Sequence, residues 1–183
     1  MPRLFTGLEI PPEIAAALAG LRGGIPGARW IEPDDYHITL RFLGDVSEQV
    51  MNDWCAELAE ARPREPIGVT LDSLASFGGD KPRAVLARAT PTAALAELQA
   101  EHERIARRIG AEPERRKFTP HVTLARLRRE ATPEGVAMYL SQTGIVEPLR
   151  FAATRVALFS ARDSTGGGPY VVEAAFPFDA GGA

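Results

Sequence analysis

Two short runs of alternating apolar and polar residues begin alike: Tyr36-His37-Ile38-Thr39-Leu40-Arg41-Phe42 and His121-Val122-Thr123-Leu124. In an extended strand, successive side chains point to opposite faces. The first run therefore predicts Tyr36, Ile38, Leu40 and Phe42 on an apolar face, with His37, Thr39 and Arg41 on the other. The second puts Val122 and Leu124 on one face, His121 and Thr123 on the other. Each strand would bury its aliphatic side and present an imidazole and a hydroxyl two residues apart.

The remaining pattern supplies neighbours for these strands. Leu4 to Ile10 reads as a first strand, stopped by Pro11, with Pro12 opening a helix over Glu13 to Leu21. Ala28 to Glu32, centred on Trp30, reads as a short extended segment, and Pro33-Asp34-Asp35 as a turn. Gly44 and Asp45 end the first motif strand. Ser47 can cap a helix to Ala61 that carries Val50, Trp54, Leu58 and Ala61 on one face. Ile67 to Phe77, the turn Gly78-Gly79-Asp80 and Arg83 to Ala89 predict a hairpin. Thr90-Pro91 is a cap-plus-proline signal for a helix with Leu95, Leu98, Ile105 and Ile109 on one stripe, ended by Gly110. Thr132-Pro133-Glu134 repeats that signal before a helix to Leu140. Leu149 to Ser160 reads as one strand, Gly166-Gly167-Gly168 as a turn and Tyr170 to Phe176 as a last strand. The tail after Phe178 is rich in Gly and Ala.

The second half of the chain coarsely echoes the first. We expect an α+β fold in one domain over residues 1–183, made of two similar lobes. Each lobe would hold a mostly antiparallel sheet with helices on its outer face, and the cleft between them would hold both motifs.

Composition narrows the partners. Apolar residues make up 45% and charged residues 25% of the 183 residues, which is ordinary for a globular protein. A net charge of −3 argues against a protein that coats nucleic acid in general. Recognition of one nucleotide or one RNA end remains open, and Arg115, Arg116 and Lys117 before the second motif and Arg126, Arg128 and Arg129 after it could serve there or form a solvated surface. Cys55 is the single cysteine, so neither an internal disulfide nor a thiolate cluster is available. The start of the chain lacks a signal-like core, and no apolar run approaches a membrane span. A cytoplasmic monomer with no membrane partner and no cofactor is the expectation.

Two of the three histidines open the repeated motif. Imidazole has an unperturbed pKa near 6.5, so one ring can donate a proton while another accepts one near neutral pH. Two imidazoles and two hydroxyls lining one cleft suit general acid–base chemistry on a small anionic group. Strand propensity explains a threonine, but not its repeated place two residues after a histidine. Asp35 is the carboxylate nearest a motif histidine and belongs to the turn, and the second motif has no comparable ligand, so no metal site is expected. His102 falls on the helical stripe between Leu98 and Ile105 and reads as a core-edge residue.

The paired His-x-Thr-Leu motifs, nearly half the chain apart, resemble the two-histidine (2H) phosphoesterase superfamily. More narrowly, the chain looks like its RNA 2′,3′-cyclic phosphodiesterase branch, also called LigT-like or the 2′-5′ RNA ligase family. Arg3-Leu4-Phe5, Trp30 through Val46, Lys117 through Arg126 and Gly168-Pro169-Tyr170 match that branch in style. The resemblance implies a bilobal fold with pseudo-twofold symmetry and metal-independent hydrolysis of an RNA terminal 2′,3′-cyclic phosphate to a 2′-phosphate. Some members also join or cleave 2′-5′ linkages. It implies His37 as proton donor, His121 as proton acceptor, Thr39 and Thr123 as phosphate-contacting hydroxyls and Arg126 as a substrate-binding residue. Strict alternation turns Arg126 away from His121, so reaching the cleft requires the strand to end, bulge or twist near Ala125. The alternatives are a non-catalytic RNA- or nucleotide-binding module and a phosphodiesterase of the same superfamily acting on a small cyclic nucleotide.

Overall fold

The computed structural model describes residues 3–161 and 168–179. Three of its described helices begin where a side chain satisfies one of the first free N–H groups. The Ser47 hydroxyl accepts from the Val50 amide, Thr92 from Leu95 and Thr132 from Gly135. These caps open α2 (Glu48–Ala59), α3 (Ala93–Arg108) and α4 (Pro133–Gln142), while Pro12 opens α1 (Pro12–Ala19). The cap of α3 is Thr92, not Thr90, because the Thr90 hydroxyl is spent donating to the Asp72 carboxylate at 2.6 Å.

The strands are β1 (Arg3–Glu9), β2 (Ala28–Trp30), β3 (His37–Asp45), β4 (Ile67–Phe77), β5 (Ala84–Ala89), β6 (His121–Leu127), β7 (Leu149–Ala153), β8 (Arg155–Ser160) and β9 (Val171–Pro177). They form one sheet in the order β7-β4-β5-β6-β3-β1-β8-β9, with β2 added beside β6, and every registered pair is antiparallel. The two motif strands meet at its centre through a single registered pair, Ile38 with Val122. Along the main path four strands lie to each side of this seam, with β2 a further strand on the β6 side, so the sheet has two similar halves. Pro33–Asp35 forms a short 3-10 helix before β3.

One strand expectation changes. Leu149 to Ser160 is not one strand. It breaks at Thr154, whose carbonyl accepts from the Phe178 amide, and the chain crosses from one end of the sheet to the other. β7 pairs with β4, and β8 pairs with β1. The motif strand β3 ends at Gly44 and Asp45, as expected, the glycine taking a φ of 81° opposite Leu4. Of the predicted Gly166–Gly168 turn, Gly166 and Gly167 lie outside the described residues, as does the tail beyond Asp179.

One face of the sheet packs on α1 and α3. Leu8, Ile38, Leu40, Val122 and Leu124 meet Ile14, Leu18, Leu95 and Leu98 in a continuous core. Trp54 and Leu58 of α2 close on Ile105 of α3. Burying each such aliphatic side chain contributes about 1.5–3 kcal/mol, which sets which face of each motif strand is inward. His102 belongs to this side, only 1% exposed, with Nδ1 2.8 Å from the Thr6 hydroxyl. Burial next to Arg64 pushes its pKa down to about 3.

Candidate active site

Both motif strands carry the same irregularity. In β6, Ala125 pairs with Val85 and Thr123 with Leu86, which leaves Leu124 as the extra residue of a β-bulge. In β3, Arg41 pairs with Thr6 and Thr39 with Gly7, leaving Leu40 in the equivalent place. A bulge adds one residue and inverts the alternation beyond it. Arg126, paired with Ala84, is thereby returned to the face of His121 and Thr123. The inversion in β3 corrects the sequence expectation for two residues. Arg41 turns to the helix side, 7% exposed, and Phe42 turns into the cleft, 45% exposed and paired with Phe5. Close approach of β1 to this bulge needs Gly7, since a Cβ there would stand 2.6 Å from the Ile38 carbonyl oxygen.

One pocket of about 370 Å³ is lined by His37, Thr39, His121, Thr123 and Arg126 together. All five residues picked out by the motifs thus face a common space. The histidines are held alike. His37 Nδ1 lies 2.9 Å from the Asp35 carbonyl, and His121 Nδ1 lies 2.6 Å from the Thr119 carbonyl, in each case two residues back. A carbonyl only accepts, so Nδ1 carries the proton in both rings and Nε2 is left as the working nitrogen. His37 Nε2 sits 3.0 Å from the Thr39 hydroxyl, which can donate to it while the ring is neutral.

Aromatic rings wall in the first histidine. Phe5, Phe159 and Tyr170 stand 4.7, 5.4 and 5.2 Å from the His37 ring, with Tyr170 edge-on. Burial, with smaller contributions from the charges of His121 and Arg126, lowers the His37 pKa to about 4 against the opposing pull of the Asp35 carbonyl. Phe77 meets the His121 ring edge-on at 5.0 Å. Burial and Arg126 likewise lower the His121 pKa, opposed by the Thr119 carbonyl.

Sequence reasoning assigned Asp35 to a turn. Its carboxylate in fact accepts from the Tyr170 amide at 3.1 Å and packs against Gly168, where a Cβ would collide with it. Asp35 thus ties the approach to β9 onto the first motif and sets Tyr170 over His37. No signal local to Asp35 could show this, since its partners lie at the far end of the chain.

Arg41 has a supporting task behind the cleft. Its Nε donates to Glu103 at 2.5 Å, and its other nitrogens donate to the Phe42 and Glu112 carbonyls. Glu103 also accepts from Arg107 and from the Glu114 amide. The pair therefore fastens the segment that leads into β6 and sets Arg116 on the rim of the cleft. Among the described residues, no group of three or more His, Cys, Asp and Glu side chains could hold a metal ion.

Known proteins share this frame. The family model described as the 2′-5′ RNA ligase superfamily matches residues 10–165. The chain belongs to the 2′-5′ RNA ligase superfamily. An RNA 2′,3′-cyclic phosphodiesterase of Aeropyrum pernix is 36% identical over 126 residues, spanning 68% of this chain and 70% of that protein. Two solved structures match the fold of this superfamily member over nearly its whole length. The Thermus thermophilus protein TT0787 gives a TM-score of 0.79 at 24% identity, covering 96% of this chain and 97% of its own. E. coli LigT complexed with 3′-AMP gives 0.76 at 24% identity, covering 97% and 98%. The LigT-like α+β fold expected from the paired motifs is the fold of this chain, an open antiparallel sheet with four α-helices among the described residues.

Proposed function

We propose that this superfamily member hydrolyses the 2′,3′-cyclic phosphate at an RNA end to a 2′-phosphate, with His37 as acid and His121 as base. The observation that carries this reading is the pair of Nε2 atoms, each freed by an Nδ1–carbonyl bond, facing one pocket that also holds Arg126. The RNA 2′,3′-cyclic phosphodiesterase of Aeropyrum pernix supports it. In the proposed step, the water oxygen bonds to phosphorus as the P–O3′ bond breaks. The water proton passes to His121 Nε2, and the proton on His37 Nε2 passes to the leaving 3′-oxygen. Arg126 and the Thr39 and Thr123 hydroxyls hold the charge that gathers on the non-bridging oxygens. With a 5′-hydroxyl in place of water, the same transfer forms a 2′-5′ linkage. No cofactor or metal enters these steps. The protein acts as a single bilobal domain over residues 1–183, as a monomer in the cytoplasm. No helix among the described residues is long and apolar enough to cross a membrane.

The test is turnover of adenosine 2′,3′-cyclic phosphate with a chelator present. His37→Ala and His121→Ala should each lose roughly 10²- to 10⁴-fold in kcat, the usual contribution of a general acid or base. The double variant should be little worse than either single one, because the two act in one step. On a substrate whose 3′ leaving group needs no proton, His37→Ala should recover and His121→Ala should not. Folded single variants with wild-type turnover would remove both histidines from the mechanism. Rescue of His121→Ala instead would exchange their roles.

A further inference from the structure

We propose that the pocket between α2, α3 and the end of β9 is a second binding site, for a small neutral molecule with an apolar body and one carbonyl oxygen. The pocket holds about 350 Å³, within the range of small-molecule sites, and shares no lining residue with the histidine cleft. It lies on the helix side of the sheet, whereas the motif histidines face the other side. Leu58, Leu98, Val156, Phe176 and Phe178 give it an apolar wall. That wall is fixed in place. The Arg64 amide donates to the Phe178 carbonyl at 2.9 Å, and the Phe178 amide donates to the Thr154 carbonyl at 2.9 Å. The Arg64 guanidinium also stands 5.8 Å from the centre of the Phe178 ring. A ligand therefore meets a preformed site and does not have to order it.

One polar group interrupts the apolar wall. His102, only 1% exposed, lines the pocket, and its Nδ1 lies 2.8 Å from the Thr6 hydroxyl. Thr6 is fully buried, and its hydroxyl has no other hydrogen-bond partner among the described residues. A buried hydroxyl proton needs an acceptor, so Thr6 donates to Nδ1. Burial and, after it, the charge of Arg64 hold the ring neutral, so its one proton sits on Nε2. Nε2 has no partner among the described residues, yet it is not sealed in as the Tyr36 hydroxyl and the Trp54 indole nitrogen are. It opens onto the pocket as a donor in need of an acceptor. Such a donor favours a ligand oxygen over a purely apolar ligand.

Charge selects the kind of oxygen. Arg64 and Glu101 pair at 2.8 Å, with only 20% and 15% of their side chains exposed. Arg62 and Asp179 also line the pocket, both exposed and of opposite sign. The lining charges therefore cancel. A carboxylate would be repelled by Glu101 or would have to take Arg64 from it, leaving a carboxylate unpaired. A neutral carbonyl accepts from Nε2 and leaves the ion pair intact.

Toluene, acetophenone and benzoate test the site on the full chain, read by amide NMR shifts and by the imidazole nitrogen resonances of His102. Acetophenone should give saturable shifts at Leu98, His102, Val156 and Phe176, with a Kd of about 10 mM or tighter. Toluene should bind roughly three- to tenfold more weakly, the worth of one net hydrogen bond. Benzoate should also bind more weakly than acetophenone. The His102 resonances should show Nε2 protonated and should move with acetophenone. Ala175→Leu, which fills the pocket, should abolish the binding of acetophenone and toluene. His102→Phe should bind the two alike. Excess adenosine 2′-phosphate, the product proposed for the cleft, should not displace acetophenone. The wild-type series decides the proposal even where a variant fails to fold. Absence of saturable shifts, toluene or benzoate binding as tightly as acetophenone, or a ring protonated at Nδ1 would overturn it. So would acetophenone binding retained in Ala175→Leu or displaced by the nucleotide.

Discussion

His37 and His121 each give Nδ1 to a main-chain carbonyl two residues back, and each is half-buried against aromatic neighbours, three rings around His37 and Phe77 beside His121. The consequence is kinetic. Proton donation by His37 needs the imidazolium, and its pKa of about 4 makes that form scarce in the free protein near neutral pH. The profile of kcat/KM against pH should be bell-shaped with both limbs below the ordinary imidazole value of 6.5. The limbs belong to the pair jointly. A bound phosphate anion favours the charged rings, so the kcat profile should sit at higher pH than that of kcat/KM. Limbs of kcat/KM at the ordinary value would show that the rings are not desolvated. Among the hydroxyls, Thr39→Val and Thr123→Val keep the β-branched shape and delete the donor. Each should lower kcat/KM by an amount equivalent to about 1.5–3 kcal/mol, with thermal stability little changed. Unchanged kinetics in both would remove the hydroxyls from phosphate binding.

At the scale of elements, the bulges at Leu40 and Leu124 decide what the cleft contains. Period-two reasoning places His37, Thr39, His121 and Thr123 correctly, because all four precede the bulge on their strand. It fails for Arg41, Phe42 and Arg126, which follow it. Neither bulge is marked by glycine, so nothing local announces the inversion. Arg41 turned inward demands a partner, and α3 supplies Glu103. Removing one member of a buried pair leaves the other uncompensated, at a cost of about 3–5 kcal/mol. Glu103→Gln and Arg41→Met should therefore lower the melting temperature, the first because it strands a guanidinium. Activity should also fall, since Glu103 fixes the segment entering β6. Differential scanning calorimetry alongside turnover checks this, and an unchanged melting temperature in Glu103→Gln would mean that the pair does not fasten that segment.

For the whole molecule, buried neutral histidines set the acid limit. His102, with its pKa lowered to about 3, and His37, lowered to about 4, resist protonation when folded and accept it when unfolded near 6.5. The unfolded state binds more protons as pH falls below 6.5, so stability declines from there downward, by at most about 1.4 kcal/mol per pH unit for each histidine. Glu103 adds to the same trend at lower pH. Burial alone would raise its pKa, but its bonds to Arg41 and Arg107 and to the Glu114 amide outweigh burial and hold it low. Its contribution is present above the unfolded value of 4.5 and is lost as pH falls through the folded one. Denaturant unfolding of His102→Asn between pH 7 and pH 4 should show a shallower decline than the wild type. A parallel decline would show that His102 titrates normally.

The amino-acid order by itself determined the catalytic candidates and most of the elements. Alternation around His37 and His121, the caps at Ser47 and Thr132 and the proline opening α1 are local chemistry, set by a residue and its near neighbours. The resemblance carried by the two motifs reached the family. What only the tertiary structure decided depends on partners far away in sequence. β7 and β8 read as one run, and only their separate pairings with β4 and β1 divide them. Thr90 reads as a cap until Asp72 takes its hydroxyl. Asp35 gains its task from Tyr170, and Phe42 reaches the cleft through the register of β3 against β1. Register, bulge and long-range hydrogen bonding follow from fitting the nine strands of the described residues into one sheet over a shared core, a constraint that belongs to no single stretch of the chain.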